Sequence, residues 1–340
     1  GQEARVVDEQ LRHIGALTDF YRDMTEQTLA GTAAVAPVPL ALTEDGVRYT
    51  PDDNGGAAVF YSNVIAPEQQ DLDKVARLTA LDSFMQGLQK TNPLVASIYF
   101  NSHDSLNHIY PWLLTPDQYP HDMVIPDYNF YYLADATHNP ERKVVWTDVY
   151  LDPAGHGWMM SAIAPVYRGD FLEGVAGLDV TVGGILDHIG ELQVPWNGYA
   201  VLVSNDLTIM ALPSRGEGDF GLNELTTHSY EEAIRRETLK PEDFNLGRRE
   251  ATQQLAQAIT DAPDGVQTVF LGGRSQLVAW TTIEQTGWRL LTVVDEEAVF
   301  EKTNELASEY RTLGYWLIVG LVVFYFVFFG FMWRRARQLS

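Results

Sequence analysis

Residues 313–333 read LGYWLIVGLVVFYFVFFGFMW, 21 positions without one charged side chain, and no other feature limits the chain's fold as strongly. At about 1.5 Å per residue such a helix crosses the roughly 30 Å hydrocarbon core of a bilayer. Tyr315, Trp316 and Trp333 fall where interfacial aromatic side chains belong. A helix buried in a soluble core rarely stays apolar on every face for this length, so the run predicts a membrane span. Arg334, Arg335 and Arg337 follow it, and Glu301, Glu305 and Glu309 precede it. Basic residues stay on the cytoplasmic side. Residues 334–340 are therefore expected in the cytoplasm, with residues 1–312 outside the inner membrane, in a bacterial periplasm.

The chain carries 46 acidic against 23 basic residues, a net charge of −23. That balance argues against nucleic acid or an anionic lipid surface as a partner. With no cysteine, disulfides and thiolate metal sites are excluded. The chain opens on the polar GQEARVVDEQ instead of a basic then apolar stretch. A membrane segment ahead of Gly1, or an export signal outside this sequence, is expected.

Between positions 6 and 29 apolar residues recur at helical spacing (Leu11, Ile14, Leu17, Phe20, Tyr21, Met24, Leu29), and Gly31 closes the run. One long amphipathic helix is expected within 1–36. A helix of about six turns is expected over 67–88 and a strand over 94–101. Positions 104–136 crowd tyrosine, tryptophan and proline without a clean period, which predicts a loop-rich, aromatic-lined segment. Three strand-like runs follow, at 144–151, 158–167 and 172–182, with turn signals between them. A helix over 184–192 ends a module spanning 37–194, and Pro195 opens a smaller one over 195–298. That second module reads strand, strand, a helical middle over 230–259, then three strands. A juxtamembrane helix over 299–312 leads into the span. The fold class is thus α+β: two helix-backed antiparallel-sheet modules on a long N-terminal helix, followed by one transmembrane helix.

WTDVYLD, an apolar strand ending in APVY, GVAGLDVT and GWRLLTVVD stand in that order, and together with the two-module plan they resemble the double Cache sensor family of bacterial receptors, whose modules are PAS-like. The resemblance covers nearly the whole chain ahead of the span. It implies an extracytoplasmic small-molecule sensor whose distal module holds the ligand. In members that bind free amino acids, an Arg-x-Trp-Tyr motif, a later Tyr and a strand-end Asp hold the ligand's carboxylate and ammonium. Here Asn129-Phe130-Tyr131-Tyr132 stands where Arg-x-Trp-Tyr would be, Tyr150 matches the later tyrosine, and Asp179 matches the aspartate.

The arginine is missing, and no lysine or arginine lies between His103 and His138. Without a guanidinium fork there is no bidentate clamp for a carboxylate. The ammonium half of the site is kept, which points to a cationic or neutral ligand without a carboxylate, an amine or a quaternary ammonium compound being favoured. Tyrosine and tryptophan rings would supply faces worth roughly 0.5–2 kcal/mol each to a cation. The candidate ligand-binding residues are Asp179, Tyr150, Tyr132, Tyr131, Asn129, Tyr128, Trp112, Trp158 and Asp148. Trp146 is read chiefly as core-filling.

Asp148, Asp152 and His156 are spaced by four but fall on a strand and turn, so they read as solvated turn residues and not as metal ligands. His103, Asp104, His108, His121 and Asp122 scatter over an irregular loop. No catalytic residue, cofactor or metal site is expected. A cytoplasmic output domain beyond residue 340, such as a histidine kinase, a chemoreceptor signalling domain or a diguanylate cyclase, would complete the receptor, and the long first helix makes a homodimer plausible. A membrane-anchored periplasmic enzyme and a partner-binding ectodomain without a small ligand are the competing readings.

Overall fold

The computed structural model describes residues 2–190, 194–225 and 229–338. Helix α1 (Gln2–Ala30) is the long first helix. Its buried positions include Ala4, Val7, Leu11, Ile14, Thr18, Tyr21 and Thr25, a seam alternating three and four residues apart that lays one face on a sheet. The Thr18 and Thr25 hydroxyls donate to the carbonyls of Ile14 and Tyr21 at 2.8 Å, which lets threonine sit in that seam without an unpaired donor. Phe20, expected inside, is 53% exposed.

The first module comprises β1 (Ala41–Leu42), β2 (Arg48–Tyr49), β3 (Ala58–Tyr61), α2 (Leu72–Thr79), α3 (Asp82–Thr91), β4 (Ser97–Ser102), β5 (Leu106–Tyr110), α4 (Thr115–Gln118), α5 (Asn129–Tyr132), β6 (Val145–Trp146), β7 (Tyr150–Leu151), β8 (Trp158–Arg168), β9 (Phe171–Thr181) and α6 (Val182–Gly190). Its strands make one antiparallel sheet in the order β1-β2-β3-β5-β4-β9-β8-β6, with β7 also on β8. Helix α1 packs across β8 and β9. The aromatic segment before β6 covers the opposite face with Tyr119, Tyr128, Phe130 and Tyr131. Both faces being covered explains why WMMSAIAPVY runs apolar almost without alternation.

Two elements depart from their expected form. The six-turn helix expected over 67–88 is broken at Ala80 into α2 and α3, which keeps both Leu78 and Leu81 buried and turns the Asp82 carboxylate onto His108 Nε2 at 2.8 Å. The strand expected over 144–151 is two short pieces, because the Thr147 hydroxyl accepts from the Ser161 N–H at 2.9 Å where a ladder carbonyl would otherwise stand.

The second module holds β10 (Tyr199–Val203), β11 (Ile209–Ala211), α7 (Ser214–Phe220), α8 (Gln253–Asp261), β12 (Asp264–Leu271), β13 (Arg274–Thr282), β14 (Arg289–Asp295) and α9 (Glu296–Gln338). The sheet order is β11-β10-β14-β13-β12, all antiparallel. The helical middle expected over 230–259 is helical only from Gln253, with short 3-10 turns before it. Residues 191–193, at the end of the helix expected over 184–192, lie outside the described residues. Helix α9 includes a 26-residue stretch, Tyr310–Arg335, that is long and apolar enough to cross a membrane and has none of its length buried in the protein.

Candidate ligand-binding site

Three neighbouring strands build the centre of the site. In register, Asp179 on β9 faces Ser97 on β4 and Ser161 on β8, so all three side chains emerge on the same face of the sheet. The Ser97 and Ser161 hydroxyls each donate to the Asp179 carboxylate at 2.5 Å. The Tyr150 hydroxyl lies 2.7 Å from Ser161 Oγ and extends the chain. Asp179 is 2% exposed. Burial, with the nearby Asp152 charge adding to it, pushes its carboxyl up to about 7 against the pull of the two serines and His156.

A second carboxylate comes from a turn. Asp152 accepts from the N–H groups of Ala154 and His156 at 2.9 and 3.2 Å and from His156 Nδ1 at 2.7 Å. That hydrogen bond to Asp152 raises the His156 pKa. The reading of Asp152 as a solvated turn residue is corrected: it is 6% exposed, because the turn closes over its side chain and directs it inward. Asp152 and Asp179 both line one small cavity. Tyr99, Tyr119, Phe130 and Tyr150 wall it, Asn101 and Asn107 lie in the same lining, and no lysine or arginine among the described residues is part of it. The Tyr99 ring lies against the β9 backbone at Gly177, where an added Cβ would come within 2.2 Å of Tyr99 Cζ. The buried Tyr99 hydroxyl, close to Ser161 and Tyr150, makes a hydrogen bond of good geometry to neither.

Of the residues singled out from the sequence, Asp179 and Tyr150 meet in this cavity. Trp158 is placed elsewhere: it packs with Met160 and Ala162 in the core on the α1 side, whereas Met159 and Ile163 belong to the cavity side. Tyr131 is buried in the aromatic layer behind the cavity. Asn129 is buried with neither amide atom hydrogen-bonded among the described residues. Trp112 is partly buried against the same layer. Trp146 packs edge-on against Trp288 with ring centroids 5.4 Å apart, a contact between the modules. Asp148 stands in a cleft between them with Asp206 and Lys240, its carboxyl raised by desolvation and by the charges of Asp206 and Glu237. Among the described residues no cluster of His, Asp and Glu is arranged to hold a metal.

Tyr128 and Tyr132 point away from the cavity toward a segment of the second module. The Tyr128 hydroxyl donates to the Ile234 carbonyl at 3.0 Å, and the Tyr132 hydroxyl donates to the Glu237 carboxylate at 3.0 and 3.1 Å. On the other side of the cavity, the Tyr230 hydroxyl donates to the Gly155 carbonyl at 2.9 Å, and Tyr150 bridges Leu239. Residues 230–240 thus strap the aromatic wall to the Asp152 turn. The strap ends at Lys240, whose buried Nζ donates to Glu224 at 2.6 Å and to the Met210 carbonyl at 2.9 Å.

Sequence reasoning missed Asp152, Ser97, Ser161, Tyr99, Tyr119 and the two asparagines. One signal was present: in SIYFN the residues at 97, 99 and 101 alternate as a polar-edged strand face.

Two helix-backed antiparallel-sheet modules with one long N-terminal helix, and a buried pocket in the first, are the arrangement that the resemblance to the double Cache family implies. No family model matches the chain. Among curated proteins it is similar to the methyl-accepting chemotaxis protein McpC of Bacillus subtilis (strain 168), at 23% identity over 195 residues, which are 56% of this chain and 24% of that protein. The chain therefore spans about a quarter of the length of that relative. Similar solved structures include ligand-binding domains of two Pseudomonas aeruginosa PAO1 amino acid chemoreceptors. For PctC in complex with GABA the TM-score is 0.48 at 17% identity, covering 86% of this chain and 95% of that one. For PctB in complex with L-Arg it is 0.45 at 18%, covering 64% and 80%. The ligand-binding domain of the Pseudomonas fluorescens chemoreceptor CtaA in complex with L-alanine gives 0.43 at 18%, covering 65% and 81%.

Proposed function

We propose that this chain is the extracytoplasmic sensing region of a bacterial signal-transduction receptor, anchored by the apolar part of α9 with its C-terminal end in the cytoplasm, and that its first module binds a small amine or quaternary ammonium ligand. The observation that carries the ligand reading is the convergence of Asp152 and Asp179 in one aromatic-walled cavity without a lysine or arginine in its lining. Asp152 is paired with His156, whereas Asp179 is buried with only two serine hydroxyls donating to it, and a carboxylate so placed is costly to ionise. A bound ammonium would relieve that cost, and the ring faces of Tyr99, Tyr119 and Tyr150 would add to it. An amino acid held by its carboxylate would lack a guanidinium partner here. The similarity to a chemotaxis receptor over 195 residues supports the sensing part of the reading.

Signalling would follow from a difference in ligand affinity between two arrangements of the modules. A preference of about 1–3 kcal/mol is enough to shift the output. The strap of residues 230–240 gives ligand-dependent closure of the cavity a mechanical route into the second sheet, whose last strand runs directly into α9. A homodimer, brought together in the membrane, belongs to the same reading. The test is calorimetric titration of the full chain in detergent with a panel of amines and α-amino acids. Saturable binding of amines, lost in Asp179→Ala, is expected. Tight binding of ordinary α-amino acids, unaffected by that substitution, would reject the amine reading.

A further inference from the structure

Resting on the amine reading, we infer that Asn101 and Asn107 form a second subsite in the same cavity and that the ligand is a short amine carrying a neutral hydrogen-bond acceptor, a hydroxyl or amide oxygen, at its far end. The two asparagines face each other in register on β4 and β5 and are 2% and 5% exposed. Asn107 Nδ2 donates to Asn101 Oδ1 at 2.7 Å, which uses the Asn101 oxygen and fixes its amide plane. With its oxygen engaged by Asn107, Asn101 lines the cavity and has its Nδ2 group left to offer a ligand. The Tyr119 hydroxyl, 3.5 Å from Asn107 Oδ1, completes a polar corner.

An amide donor that opens into a cavity gains from a ligand oxygen that accepts from it. The alternation of β4 puts Ser97, Tyr99 and Asn101 on one face. The anionic end at Asp179 and the amide end at Asn101 are thus two ends of one strand surface, with the Tyr99 ring between them. A ligand that fills the cavity lengthwise meets carboxylates first and amide N–H last. Its distal acceptor should be uncharged, since a carboxylate there would bring a third negative charge into a cavity already holding Asp152 and Asp179.

The test is titration of the full chain with three probes of matched length: aminobutanol, pentylamine and aminobutyrate. Aminobutanol is expected to bind about tenfold more tightly than either of the others. Asn101→Leu, close in volume, should abolish the preference for aminobutanol over pentylamine. Asn107→Leu provides the same comparison if the first variant does not fold. Equal binding of pentylamine and aminobutanol by the unaltered protein overturns the subsite and leaves the amine reading standing, and so does a variant that keeps the full preference. Tightest binding of aminobutyrate also overturns it. No binding by any of the three overturns both readings.

Discussion

The backbone N–H of Leu151 donates to the carbonyl of Thr238 at 2.8 Å, so the short strand that presents Tyr150 to the cavity is bonded to a segment of the other module. Tyr128, Tyr132 and Tyr230 add three side-chain bonds between the strap and the cavity surround. Cavity and strap should therefore respond to ligand together. Hydrogen exchange measured with and without a saturating amine is expected to slow in residues 230–240 as well as in residues 150–156. Protection confined to the first module would show that the strap does not follow the cavity.

Asp179 is expected to cost the fold stability at neutral pH. Its folded pKa, about 7, lies above the value near 3.9 of an unfolded aspartate. The folded state thus holds the proton more tightly, and stability falls as pH rises from about 4 to about 7. Asp179→Asn removes that loss. Its Tm should exceed that of the unaltered protein at pH ~8, by on the order of a few kcal/mol of stability, and match it near pH ~4. A lower Tm at the higher pH would reject this account.

Amine affinity should rise with pH over the same range. A cation binds the ionised carboxylate, and below about 7 a proton must leave Asp179 first. Calorimetry in buffers of different ionisation enthalpy should find close to one proton released per amine near pH ~6 and little release near pH ~8. Affinity independent of pH would place the cation away from Asp179.

Gly177 is where the Tyr99 ring meets the β9 backbone. Gly177→Ala must push that ring toward the cavity, an overpacking cost of about 1–3 kcal/mol. The expected result is a lowered Tm together with weakened amine binding. Unchanged binding would mean that the ring has another place to go.

The strap's anchor is a buried ion pair, Lys240 with Glu224. Removing one partner leaves the other charge buried, so Lys240→Met should destabilise the protein by about 3–5 kcal/mol. Adding Glu224→Leu should restore most of that. Denaturant unfolding of the single and double variants measures both, and a double variant no more stable than the single one would contradict the pairing.

Much of the architecture was legible. The uncharged run after position 312, the long first helix and the two sets of strand-like runs each carry a period or a composition that survives in any environment. Asp179 was legible too, because a carboxylate interrupting the apolar GVAGLDVTV has few places to go. Trp158 was not. Strand β8 is apolar on both faces, so alternation gives no sign of which side meets α1. Asp152 was hidden for the opposite reason: Asp-Pro-Ala-Gly looks like a solvent-facing turn, and only the packing of that turn under Tyr230 turns its acid inward.

The sequence by itself determined the long first helix, the long strands of both modules and the uncharged helix near the C-terminal end, because backbone periodicity and hydrophobic length act locally. The tertiary structure alone decided that residues 101, 107, 152 and 179, from three strands and a turn, share one cavity. Strand register and the covering of a sheet face are set by contacts between distant segments, and it is those contacts that bring two carboxylates and an open amide within reach of a single small molecule.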